Sequence, residues 1–223
     1  MSSALERGIR LYNLKQYKKA LIEFKALEDK ENLNIEVMYY IGLCLTQLGS
    51  YDDALLYLEQ VVQSEFSFLH IFQSRMVLGY IYSITGRNQL AEYEFKKLID
   101  SGFESSQIYA AMGYVLYSQR KVKDAVIFLE KSLEMDPENA NAVNSLGYIL
   151  AEEDIDVNRA LKLCRKAVKK KPKNAAYLDS LGWIYYKKGN VSKAHSYLRQ
   201  ALAISPGNKQ IVKHMKTVLS KKD

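Results

Sequence analysis

Proline and glycine are scarce in this chain of 223 residues, at 3 and 11. That scarcity excludes a low-complexity disordered chain and argues against a turn-rich β protein. Cysteine occurs twice, as Cys44 and Cys164, far apart in sequence and each among apolar neighbours. Two such residues make no disulfide framework, and buried free thiols are expected, since cysteine behaves as a small hydrophobe. No window approaches ~18 uninterrupted apolar residues, so no transmembrane helix is expected. The first residues hold no apolar signal segment, so a cytoplasmic location is expected if Met1 is the native start.

Groupings that carry catalysis are also missing. His70, His195 and His214 have no cysteine or acidic residue at metal-ligand spacing. No glycine-rich phosphate loop occurs. The carboxylate clusters Asp52-Asp53 and Glu152-Glu153-Asp154 fall at expected turns, where capping explains them. Neither an enzyme nor a cofactor nor a bound metal is therefore expected.

What the sequence does contain is a period. Gly8, Gly42, Gly79, Gly113, Gly147 and Gly182 follow one another at 34, 37, 34, 34 and 35 residues. Twelve or thirteen residues after each comes an alanine: Ala20, Ala54, Ala91, Ala125, Ala160, Ala194. Pro137, Pro172 and Pro206 fall at one phase of the same period. Around one glycine, Leu178, Leu181, Gly182 and Tyr185 stand at i, i+3, i+4 and i+7, one stripe of a helix. Glycine and alanine are small where two antiparallel helices approach closely, and proline closes the unit because it cannot continue a helix. One such pair cannot bury its apolar faces alone, but a stack can.

The pattern resembles the tetratricopeptide repeat. One copy shows it with Leu178, Leu181, Gly182, Tyr185, Ala194, Leu198, Ala201 and Pro206, another with Tyr109, Met112, Gly113, Leu116, Ala125, Leu129, Ser132 and Pro137. The resemblance implies an all-α fold, a right-handed α-solenoid of antiparallel helix pairs. It implies six repeats at about 1–34, 35–68, 72–105, 106–139, 140–174 and 175–208, a capping helix at 209–221, and one domain over 1–223. The first three copies depart from the pattern, with Asn32, Phe66 and Phe103 in place of the closing proline. Three extra residues near Leu69-His70-Ile71 are expected to lengthen the join between copies two and three. One extra residue within 152–156 is expected in the internal turn of copy five.

In the family the first helix of each pair lines a concave groove. On that reading the groove carries Tyr39, Gln73, Tyr80, Gln107, Tyr114 and Tyr117, then Asn141, Asn144, Tyr148, Trp183 and Tyr186, with Ile9, Tyr12 and Asn13 added by the first copy. Tyrosine and tryptophan offer rigid contact area with a polar handle, and Asn and Gln pair with a peptide backbone. The alternative is that these rings stack on neighbouring repeats and touch no ligand. Some family members clamp a C-terminal carboxylate with lysine, arginine and asparagine. Leu5, Ile9, Tyr39, Met76 and Ala110 stand at those places here, so an apolar or aromatic segment is the expected guest.

Charge is uneven. Residues 155–223 hold 17 Lys+Arg against 3 Asp+Glu, whereas residues 35–154 hold 8 against 17. The densest basic run contains Arg165, Lys166, Lys169, Lys170, Lys171 and Lys173. It is expected on the outer face of the second helix of pair five. The reading is thus a scaffold that binds a peptide-like segment of a protein partner in its groove. The alternative is a binder of an anionic surface (acidic protein, membrane or nucleic acid) through the basic face. Aromatics on the opposite side disfavour nucleic acid.

Overall fold

The computed structural model describes residues 3–28, 34–64 and 67–220, which hold thirteen helices and no strand. The chain forms two compact units, Met1–Glu104 and Ser105–Asp223. The first unit contains three helix pairs: α1 (Ala4–Asn13) with α2 (Tyr17–Glu28), α3 (Ile35–Leu48) with α4 (Tyr51–Gln63), and α5 (Phe68–Ile84) with α6 (Asn88–Asp100). The second contains α7 (Ser106–Ser118) with α8 (Val122–Met135), α9 (Ala140–Glu152) with α10 (Val157–Lys170), and α11 (Ala175–Lys187) with α12 (Val191–Ile204). A last helix, α13 (Lys209–Ser220), packs on α11 and α12.

The periodic glycines and alanines set the spacing inside each pair. A Cβ at Gly113 would stand 2.6 Å from Leu129 Cγ and 3.1 Å from the Ala125 carbonyl oxygen. At Gly147 it would stand 2.7 Å from Cys164 Sγ. The other four meet the corresponding residue of their second helix: Phe24, Leu58, Phe95 or Leu198. All six periodic alanines are completely buried. Pair five places a cysteine where the others place leucine or phenylalanine. Cys44 and Cys164 are both buried free thiols, and burial pushes the Cys44 thiol up to about 12 and raises that of Cys164 as well.

Helix ends follow local chemistry. Asn139 and Asn174, each two residues beyond a closing proline, accept backbone N–H bonds at the starts of α9 and α11; Asn208 does the same for α13. Every internal turn contains one residue in the left-handed region, where a side chain is strained. Gly49, Gly86 and Gly189 fill that place in three pairs; Lys15, Arg120 and Asp154 fill it in the others.

Two irregular sites resolve differently. Leu69, His70 and Ile71 do not lengthen a loop: they lie in α5, which at 17 residues is the longest helix described. Those three residues include no proline or glycine to break a helix, so the extra residues extend α5 at its N-terminal end. The extra residue of pair five does sit in its turn, which runs from Glu153 to Asp156 and ends with Asp156 capping Arg159 N–H at 2.8 Å. Phe103 packs against Phe68 and Phe72 in place of a closing proline, while Asn32 and Phe66 lie outside the described residues.

Each unit has two layers. In the second, α7, α9, α11 and α13 lie side by side, while α8, α10 and α12 make no such mutual approach; α1, α3 and α5 likewise adjoin in the first. The first helices of the pairs therefore line the tighter side of each unit.

Candidate functional site

The expected groove residues fall into three kinds of environment. In the first unit Tyr39 is buried, donates its hydroxyl hydrogen to Gln73 Oε1, and meets Tyr40 and His70 edge-on; burial raises its pKa. Tyr80 is exposed. Ile9 and Tyr12 are half-buried and Asn13 is exposed, with the Tyr12 ring edge-on to Tyr17 and Tyr40.

In the second unit an aromatic floor crosses four helices. The Tyr117 ring meets Tyr148 edge-on at 6.2 Å, and Tyr148 lies 6.2 Å from the His214 ring. His214 stacks on Trp183 at 4.2 Å and 13°, and Trp183 stacks in turn on Tyr186 at 5.0 Å. Polar bonds hold Tyr117, Tyr148, Trp183 and His214. Tyr117 donates to Glu153 at 2.9 Å, and Trp183 Nε1 donates to Glu152 Oε2 at 2.5 Å. Gln210 Nε2 donates to the Tyr148 hydroxyl at 3.0 Å and lies 2.9 Å from His214 Nε2. His214 Nδ1 lies 2.9 Å from Asp179 Oδ1, both residues being buried. One proton assignment satisfies the whole set: Nδ1–H donates to Asp179 and Nε2 accepts from Gln210. Burial, and at Tyr117 also the bond to Glu153, raises the pKa of Tyr117 and Tyr148, so both hydroxyls stay neutral, Tyr117 as a donor and Tyr148 as the acceptor of the Gln210 bond.

Trp183 is thus covered on both faces and only 9% exposed. Asn144 is buried, with its Oδ1 3.8 Å from Cys164 Sγ. Asn141 is exposed and accepts from the Tyr177 hydroxyl at 2.5 Å. Gln107 and Tyr114, the latter 51% exposed, stand open on α7. Sequence reasoning missed Asp179 and Gln210, and the parts played by Glu152 and His214. One signal was present: Asp179 is a lone acid beside the apolar stripe, 35 residues before His214, one repeat length away.

The basic run divides as well. Arg165 donates to the Tyr185 hydroxyl at 2.6 Å; Lys166 and Lys170 both reach Glu138. Lys169, Lys171 and Lys173 are exposed with no partner among the described residues. No group of three His, Cys, Asp or Glu capable of holding a metal ion occurs among the described residues, and none of their helices is long and apolar enough to cross a membrane.

Comparison with known proteins agrees with this geometry. A tetratricopeptide repeat pattern matches residues 5–68 and 110–175, and a second matches 175–208. A TPR repeat-containing protein of Pseudomonas aeruginosa is 41% identical over 91 residues, 39% of this chain and 15% of that protein, so the match spans a small part of the relative's length. Among solved structures, pilF of Pseudomonas aeruginosa aligns over 98% of this chain and 96% of its own, with 14% identity and a TM-score of 0.74. YrrB, a TPR protein with an unusual peptide-binding site, aligns over 86% of this chain and 97% of its own, with 20% identity and a TM-score of 0.58. At these identities the structural likeness speaks for the fold. The glycine-tight helix pairs and the family patterns, which together span more than half of the sequence, place this chain in the tetratricopeptide repeat family.

Proposed function

We propose that this chain is a protein-interaction scaffold that holds a peptide-like segment of a partner against the first-helix face of residues 105–220. The observation that carries the reading is the open edge of the aromatic floor. Gln107 and Tyr114 stand exposed seven residues apart on α7, the helix that also carries Tyr117, whose hydroxyl is fixed on Glu153. A surface ordered before binding loses little side-chain entropy when a guest arrives. Exposed tyrosine supplies the anchor, and amide groups pair with a peptide backbone. Tyr117, Tyr148 and Trp183 act in this reading as the floor, and Tyr39, Gln73 and Tyr80 supply the corresponding face of the first unit. YrrB, with its peptide-binding site on the same fold, supports the assignment by analogy. The chain's part is recognition, with no chemical step assigned to it.

The test uses peptides selected by display on the immobilised protein, with affinity read by fluorescence polarisation. Changing Gln107 and Tyr114 together to Ala should weaken the selected peptides more than ~10-fold, the scale of one interface hot spot. Both side chains are exposed, so the helical circular dichroism signal should not change. Unchanged affinity in that variant would sink the assignment to this face.

A further inference from the structure

The three closing turns of the second unit, Asp136–Asn139, Lys171–Asn174 and Ser205–Asn208, lie on one edge. There α8, α10 and α12 end, and α9, α11 and α13 begin. Each turn exposes its proline: Pro137, Pro172 and Pro206. Met135 and Ile204, at equivalent places on the last turns of α8 and α12, are 49% and 46% exposed. Between them α10 ends in Lys169 and Lys170, with Lys171 and Lys173 in the following turn.

The charge at this edge is not balanced internally. Glu138 is occupied by Lys166 at 2.5 Å and Lys170 at 3.6 Å. Asp136 accepts the Glu138 N–H at 2.9 Å, and Glu134 is exposed beside Met135. Beyond these, residues 157–220 contain 15 Lys+Arg and one acid, the buried Asp179. The arginine forks that would grip a single carboxylate or phosphate are largely spent, Arg159 on Glu130 and Arg165 on Tyr185. What remains open is mostly lysine, a point charge on a flexible stem.

We propose that this edge docks on an anionic lipid surface. Exposed prolines with Met135 and Ile204 would enter the headgroup layer, and Lys169, Lys171 and Lys173 would meet its negative charge. A nucleic acid or an acidic peptide would use the lysines and leave the apolar tips without a counterpart. A lipid interface takes both. The docking uses side chains other than those assigned to the peptide face.

Vesicle sedimentation of the full chain tests it. The protein should pellet with vesicles containing about 30% phosphatidylserine at about 0.1 M salt, stay in solution with phosphatidylcholine alone, and release at about 0.5 M salt. Replacing Lys169, Lys171 and Lys173 with Gln should weaken binding about 100-fold, from roughly a tenfold loss or less per lysine; replacing them with Arg should retain it. The pair Met135→Ser and Ile204→Ser should weaken vesicle binding about tenfold and leave any binding to polyglutamate unchanged. The proposal is overturned if the protein ignores anionic vesicles or if either the Gln or the Ser variant binds them like the native chain. It is equally overturned by tighter binding to a single-stranded oligonucleotide or polyglutamate than to vesicles.

Discussion

Changing Gly113 to Ala pits two opposing effects against each other. In an exposed helix interior the change would stabilise by about 0.5–1 kcal/mol, because glycine loses more backbone freedom on folding. At Gly113 the added Cβ would stand 2.6 Å from Leu129 Cγ, whereas carbon contacts settle near ~3.5–4.0 Å. The neighbour cannot easily yield. Leu129 is fully buried, and its Cγ is a branch point close to the backbone. The Ala125 carbonyl oxygen, 3.1 Å away, is backbone. Overpacking of this kind costs about 1–3 kcal/mol, so the net expectation is a loss of about 1–2 kcal/mol. Urea unfolding followed by circular dichroism measures it. Combining Gly113→Ala with Leu129→Ala should give less than the sum of the two single losses, with a coupling of about 1 kcal/mol or more, because the cavity receives the methyl. A Gly113→Ala variant as stable as the native chain, or an additive double variant, would refute close approach as the reason for the periodic glycine.

Two further outcomes follow from particular residues. Arg120 holds φ 65° with an exposed side chain, so Arg120→Gly should stabilise by about 0.5 kcal/mol, relief of left-handed strain exceeding the extra freedom of the unfolded glycine; thermal unfolding checks the sign. Glu94 is buried beside Arg75 at 2.6 Å, and burial raises its pKa against the lowering by Arg75. A carboxyl raised in the folded state binds its proton more readily there than when unfolded. The native chain should therefore lose stability relative to Glu94→Gln as pH rises from the ordinary carboxyl range toward neutrality, and a pH-independent difference would contradict this.

The helix pairs were legible because their cause repeats. Every close approach needs a small residue at one phase, so six glycines and six alanines report the same contact six times. The aromatic character of the first helices was equally visible, yet the bonds that fix the rings were not. Trp183 to Glu152, Tyr117 to Glu153 and His214 to Asp179 each join different repeats and occur once. A period shows which positions recur, and it is silent on partners that belong to one pair of copies. That is why Trp183 reads from sequence as an anchor and stands in the structure as a sandwiched floor. The added turn of α5 escaped for another reason. Three extra residues against a 34-residue period look like a loop, yet Leu69, His70 and Ile71 contain no helix breaker and add to the helix instead.

The two buried thiols carry one more consequence. Cys44 lies in α3 of the first unit and Cys164 in α10 of the second, each completely shielded from solvent. A thiol reagent reaches either one only when its own helix pair opens, so alkylation rates clock local opening at two fixed addresses. The chain thus carries a native stopwatch in each half. Equal rates would mark halves that breathe as one cooperative body, and unequal rates would mark two that open on separate schedules.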